Sequence, residues 1–337
     1  MQFSESNRIY PLTSNKEVIK SFSQPVSQVS LNGLKNILDD SEYSDPELEY
    51  SDDDVVYKEG NDEEDDEITS IEMMVNTARK EEAEVPISCN LFTAMQKEIT
   101  PSNRESVVKW LIQLNYYFQL TNDVLFNAVS YIDILLCNKT IKKKDISVYA
   151  AVCYWVSSKV DTRAQPSVQE FNEASGFQFT NELFKKTEIE LIKLLKFKLH
   201  YSTTKFFMRQ YQDEFYASED QKVIDFSRFL SELSILKFDF LDYRASTIAT
   251  SIMIIAFSAF GHIASAIDIA VKELSYNTDR EIIQKCIELL KKHAQKLMSE
   301  NKDPKSRGMK ELFDKVNMDF DVDEIFQIAL CNIQMKS

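Results

Sequence analysis

Two stretches of this sequence, ISVYAAVCYWV at 146–156 and ASTIATSIMIIAF at 245–257, carry no polar stripe at helical spacing. A helix that is apolar on every side has to be surrounded by other helices. The longest run of this kind, IATSIMIIAFSAF at 248–260, is too short to cross a bilayer core of ~30 Å, so a bundle core is expected and a membrane partner is not. The starts of the two stretches lie 99 residues apart. Each is third in a run of five helical patterns, which predicts two five-helix bundles in tandem.

The first run opens near Thr100–Pro101–Ser102, where a cap residue meets an early proline. It continues with Val107, Trp110, Leu111 and Leu114 at three- and four-residue steps, the mark of a buried face. Asn122 is placed to cap the next helix, with Leu125, Ala128, Val129 and Ile132 as its stripe. The apolar helix follows. Pro166–Ser167 start a short fourth helix ending near Gly176. A fifth runs from Asn181 to Phe197 with Leu183, Ile189, Leu191, Ile192, Leu194 and Leu195. The second run has the same order. TTKFFMRQYQDEF comes first, then a helix with Val223, Phe226, Phe229, Leu230 and Leu233. The second apolar helix follows, then a shorter one at 263–274 and a last helix capped by Asp279. Ahead of both, residues 70–84 read as one amphipathic helix stopped near Pro86.

Five glycines and seven prolines in 337 residues are too few for the turns of an all-β fold, so the class is all-α. The charge is uneven. From Asp39 to Glu67 there are sixteen acidic residues and one lysine, a local charge equal to the net −15 of the chain. The rest is neutral and lacks the basic face that binding nucleic acid requires. Residues 1–68 are expected to be a disordered acidic tail. Within it Ser41, Ser44 and Ser51 sit among acids, as candidates for phosphorylation that would each add ~−1.5 to −2 of charge. The expected division is 1–68 tail, 69–93 helix and connector, 94–200 first bundle, 201–318 second bundle and 319–337 C-terminal tail.

No residues assemble the pattern of a catalytic site. The five cysteines are odd in number and widely spaced, without the C-x-x-C of a zinc or redox centre. Cys153 is expected to pack as a small hydrophobe, and the usage fits a reducing compartment. His200, His262 and His293 have no ligand-spaced neighbours. There is no phosphate-cradling glycine loop and no nucleophile elbow. The N-terminus MQFSESNRIY is polar, unlike a signal peptide. The expectation is a binding module without cofactor or metal, and not an enzyme. Two residues stand out, Lys159 at the exit of the apolar helix and Glu188 on the fifth. Each has an ordinary explanation. A cation at a helix C-terminus contributes ~0.3–1 kcal/mol, and Glu188 has Lys185 one turn earlier.

Taken together, residues 94–197 resemble a cyclin box. MQKEITPSNRESVVKWL is similar to the cyclin opening, with its arginine six residues before W-L, and AVSYIDILL to the second helix. YWVSSKVDTRAQPSVQEF matches the terminal S-K and the turn after it. ELFKKTEIELIKLLKFKLHYSTTKFF matches the fifth helix and the threonine beyond. FLSELSILKFDFLDYRASTIATSIMIIAF resembles the second cyclin repeat, and the likeness is greatest to the A- and B-type cell-cycle cyclins. The resemblance implies two cyclin folds over 94–318 and no catalysis. It implies a heterodimer with a cyclin-dependent protein kinase, activated during cell division in the nucleus or cytoplasm. It implies that Lys159 and Glu188 bind that kinase beside its mobile regulatory helix. Arg104 and Asp133 would form a buried pair supporting the first box.

The sequence also departs from the family. Where many cyclins carry M-R-A-I-L, this chain has Asn103, Arg104, Glu105, Ser106 and Val107. The substrate- and inhibitor-docking patch, with Val107, Trp110 and Gln113 as its candidates, is therefore expected to be weakened. Ile134 replaces the usual arginine after Asp133. None of the nine arginines has a leucine three residues on, so an R-x-x-L destruction box is absent. The competing reading is a cyclin-fold adaptor without a kinase. In its DNA-binding form it would need more basic surface than the cluster Lys139, Lys142, Lys143 and Lys144, and it would be expected to lack the Lys159/Glu188 couple.

Overall fold

The structure, a computed structural model, describes residues 63–162, 165–176, 179–215, 220–276 and 278–300. The expected tail up to residue 62, with Ser41, Ser44 and Ser51, and the C-terminal tail lie outside the described residues. Among those described there are twelve α-helices and no strand. Helix α1 spans Glu63–Ala83 and α2 Cys89–Met95. The first bundle is α3 (Pro101–Phe118), α4 (Asn122–Asn138), α5 (Ile146–Asp161), α6 (Val168–Ser175) and α7 (Asn181–Leu194). The second is α8 (Thr204–Glu214), α9 (Gln221–Leu236), α10 (Ala245–Ala259), α11 (Ile263–Ser275) and α12 (Arg280–Glu300).

The two apolar stretches are α5 and α10, and both are central. Helix α5 packs on α3, α4 and α7, and Tyr154 meets Phe171 of α6 with ring centroids 6.0 Å apart. Helix α10 packs on α8, α9, α11 and α12. Every residue from Ser246 to Ser258 is buried. Its small residues let neighbours approach closely, and Ser251 returns its hydroxyl to the carbonyl of Thr247, so no polar atom there is stranded. Cys153 is fully buried, and burial holds its thiol well above the ordinary value. It is packing material, not a nucleophile.

Local signals fix the helix ends. Thr100 caps α3, and its hydroxyl and the side chain of Asn103 form a reciprocal capping box, with Pro101 in the first turn. Ser167 and Glu170 do the same for α6, which Gly176 ends in the left-handed conformation at φ 71°. Asp279 accepts from the amide of Glu281 at the start of α12.

Several boundaries differ from expectation. Helix α1 is already formed at Glu63, inside the stretch assigned to the tail. Thr121, not Asn122, occupies the cap position of α4. Helix α7 stops at Leu194, because Lys196 and Phe197 take left-handed backbone angles (φ 53° and 62°) that a helix cannot continue through. Its buried face is Phe184, Thr187, Leu191 and Leu195, while Leu183 and Ile189, read as part of the stripe, are exposed.

Three polar joints hold the elements around the core, and only the first of them involves a pair singled out from the sequence. Arg104 clamps Asp133 with two hydrogen bonds (Nε–Oδ1 2.8 Å, Nη2–Oδ2 2.7 Å) and donates its remaining nitrogen to the carbonyls of Ile235 and Leu236. It therefore joins α3, α4 and the end of α9. Tyr116 of α3 donates to Glu232 of α9, which also pairs with Arg228 and is 1% exposed. Arg79, near the end of α1, pairs with Glu273 of α11 and lies over the Tyr276 ring at 3.9 Å. Glu273 is 0% exposed and also accepts from Thr250 and Thr278. Glu232 and Glu273 are interior because each has a cation and at least one hydroxyl to satisfy its lone pairs.

Candidate functional site

The exit of α5 and the middle of α7 lie side by side. The Lys159 ammonium is 2.7 Å from Oε1 of Glu188 and 3.4 Å above the ring of Trp155. Trp155 is itself fixed, donating its indole N–H to the carbonyl of Pro166 (2.9 Å) and meeting Phe184 edge-on. The lysine is thus held at both ends of its stem, by α5 packing below and by α7 beside it. Glu188 pairs across helices rather than with Lys185. The pair is neither sealed nor loose: the side chains are 31% and 19% exposed. Next along α7, Ile189 is 55% exposed, and Phe197 just beyond the helix is 75% exposed. A charged couple with apolar neighbours is a surface that a protein partner can desolvate.

Beneath this exit, Ser157 donates to the carbonyl of Val124, and Asn127 to Asp161. These bonds fix the last turn of α5 against α4, so the position of Lys159 is set by the core. No signal short of the three-dimensional fold would have paired these residues, since Asn127 and Asp161 lie in different helices.

The other candidates are placed as follows. Arg104 and Asp133 are brought together and buried, at 1% and 6% exposure. The three docking-patch candidates differ in exposure. Val107 and Trp110 are core residues, at 2% and 7% exposure, with Trp110 edge-on to Phe171, and Gln113 is only half-buried. The spacing that marked α3 as amphipathic already put Val107 and Trp110 on its inner face. Ile134, in place of the usual arginine, is buried too. Lys139 meets Glu190 and Tyr149, so one member of the lysine cluster is engaged within the fold. Among the described residues no group of three or more His, Cys, Asp or Glu side chains could hold a metal ion. No described helix is long and apolar enough to cross a membrane.

Comparison with known proteins agrees with this architecture. Residues 72–200 match the cyclin N-terminal domain family and residues 202–317 the cyclin C-terminal domain family. The chain belongs to the cyclin family. It is 30% identical over 166 residues to putative cyclin-A3-1 of Arabidopsis thaliana, covering 48% of this chain and 46% of that protein. It is 27% identical over 172 residues to cyclin-A1-4 of Oryza sativa subsp. japonica, covering 50% and 48% respectively. The chain therefore spans less than half the length of these relatives. Among solved structures, the viral cyclin from herpesvirus saimiri has the same fold, with a TM-score of 0.50 at 18% identity, over 72% of this chain and 96% of that one.

Proposed function

We propose that this chain is the regulatory, non-catalytic subunit of a cyclin-dependent protein kinase acting in cell division, in the nucleus or the cytoplasm. The single observation that carries the reading is the Lys159–Glu188 couple, formed without a partner and left partly open beside exposed Ile189. A cyclin needs a rigid wall with a few fixed polar groups. Such a wall holds the kinase's mobile helix where its glutamate pairs with the ATP-binding lysine. A preformed pair offers its cation and anion to that helix with little ordering left to do. The presence of the couple is also what the adaptor reading would not require.

The test is co-purification of the full chain with a kinase, followed by a histone-type phosphorylation assay. Lys159→Ala and Glu188→Ala are each expected to weaken kinase binding by at least roughly thirty-fold, the lower end of the ~2–5 kcal/mol lost on truncating one partner of a desolvated charge pair. Helix content by circular dichroism should stay unchanged. Wild-type affinity in both variants would remove this face from the reading.

A further inference from the structure

Trp155 stands one helical turn before Lys159 on α5. Helical side chains lean towards the N-terminus, so a lysine at i+4 lies back over residue i. It does so here, with the ammonium 3.4 Å from the centre of the Trp155 ring. The ring is not free to follow the lysine. Trp155 is half-buried, and its indole N–H donates to the carbonyl of the buried Pro166 at 2.9 Å. It also meets Phe184, itself 0% exposed, edge-on at 5.3 Å. The platform is thus anchored to the loop before α6 and to α7, independently of the lysine. An ammonium has three N–H groups, carried on a stem with many rotamers. Glu188 accepts from one side at 2.7 Å, and the indole face closes a second. One direction stays open, since the Lys159 side chain is 31% exposed.

We infer that Trp155 is a positioning residue for partner binding: it fixes the open direction of the Lys159 ammonium, along which an oxygen acceptor of the partner arrives. This rests on the reading of Lys159 as a kinase-binding residue, and adds that Trp155 acts through the lysine. Glu188 by itself is a weak guide. Its carboxylate is on a flexible stem, and the attraction between two partly solvated charges is screened. The ring is the stiffer partner, because its hydrogen bond to Pro166 and its contact with Phe184 leave it little freedom. Its attraction for a cation strengthens as water is excluded, so the platform holds the lysine most firmly once a partner covers the face. Leucine at 155 would keep apolar packing against Phe184 and remove the platform. Phenylalanine would keep a ring under the ammonium and lose only the bond to Pro166.

Two measurements on the full chain test this, and the first needs no partner. The ε-methylene protons of Lys159, assigned by their loss from the NMR spectrum of Lys159→Ala, are expected upfield of those of solvated lysines because they lie over the indole face. The shift should vanish in Trp155→Leu and persist in Trp155→Phe and Glu188→Ala. A wild type without the shift, or its loss in Glu188→Ala, overturns the inference, and the Glu188→Ala result decides even if the leucine variant does not fold. The second measurement is a cycle on affinity for the kinase that co-purifies with the chain. Trp155→Leu should weaken binding about tenfold when Lys159 is present and less than about twofold in the Lys159→Ala background. Trp155→Phe should recover most of the loss. Equal losses in the two backgrounds, or no loss when the lysine is present, would reduce Trp155 to packing and overturn the inference. A wild-type chain that binds no kinase refutes the proposed function instead, and the lysine signal then decides the role of Trp155 alone.

Discussion

Helices α5 and α10 hold equivalent places, third in their bundles and enclosed by their neighbours, yet they leave the core differently. Helix α5 ends on Trp155, Lys159 and Asp161, polar groups tied respectively to the loop before α6, to α7 and to α4, and still partly open to solvent. Helix α10 ends on Phe260 and Gly261, the latter at φ 84°, with no charge in its last turn. The neighbours of α10 carry their carboxylates inward instead. Glu232 of α9 and Glu273 of α11 are sealed, each tied to an element outside its own bundle, α3 and α1 respectively. The first bundle turns one ion pair outward, Lys159–Glu188, and buries another, Arg104–Asp133, whereas the two sealed carboxylates of the second, Glu232 and Glu273, both serve as joints. Burial, rather than residue type, decides which role an ion pair plays.

The sharpest way to break this comparison is to truncate a joint. Arg104→Ala would leave the Asp133 carboxylate buried and uncompensated, and the carbonyls of Ile235 and Leu236 without their donor. Breaking a buried pair from one side costs about 3–5 kcal/mol, read as a lower midpoint in urea. Glu273→Ala should approach the same loss, because it strands Arg79 at 11% exposure. Burial pushes the Glu273 carboxyl up, but Arg79 and the hydroxyls of Thr278 and Thr250 pull it down further, to below its ordinary value. That group therefore adds stability above the usual carboxylate range, and the gain is lost as pH falls through its folded pKa. A loss under 1 kcal/mol in both variants would mean the joints are ornamental and the comparison fails.

A smaller effect belongs to His293 on α12, at 8% exposure, with Nε2 3.1 Å from Asp239. Burial is the main cause that holds its pKa below the ordinary 6.5, with Lys237 and Lys292 acting the same way and Asp239 opposing them. The unfolded chain therefore binds the proton more readily than the folded one. The contribution of His293 is fully present above pH 6.5 and falls as pH drops from there towards the folded pKa. The slope it contributes is at most about 1.4 kcal/mol per pH unit. Unfolding of His293→Phe between pH 7.5 and 5.5 should show a shallower pH dependence than the wild type. Identical slopes would rule the histidine out as the source.

Much of this architecture can be read in the chain itself. Enclosed helices need surrounding ones, so 146–156 and 245–257 dictated two bundles before any coordinate. The caps at Thr100 and Ser167 act within a few residues, and such signals are legible for that reason. What could not be read acts across the chain. Nothing local places Arg79 on Glu273, 194 residues away, or brings Arg104 to the end of α9. The end of α7 was missed because the periodicity of Leu194 and Leu195 continues while the backbone at Lys196 and Phe197 does not. Lys159 and Glu188 were visible as residues; their contact depends on where α5 and α7 cross.

The smallest expected effect is the most informative about that contact. Both Lys159 and Glu188 are partly solvated, so their attraction is screened and each side chain gives up rotamer freedom to maintain it. A double-mutant cycle of Lys159→Ala and Glu188→Ala should therefore give a coupling of only ~0.2–1 kcal/mol to the stability of the isolated chain. The same cycle, run on kinase affinity, should give a larger value, because the partner would exclude the water that weakens the pair. Equal couplings in the two measurements would make the couple a helix-to-helix tie, like Arg104 and Asp133 at the other joint. A gap of 1 kcal/mol or more would separate a face built for a partner from one built for the fold.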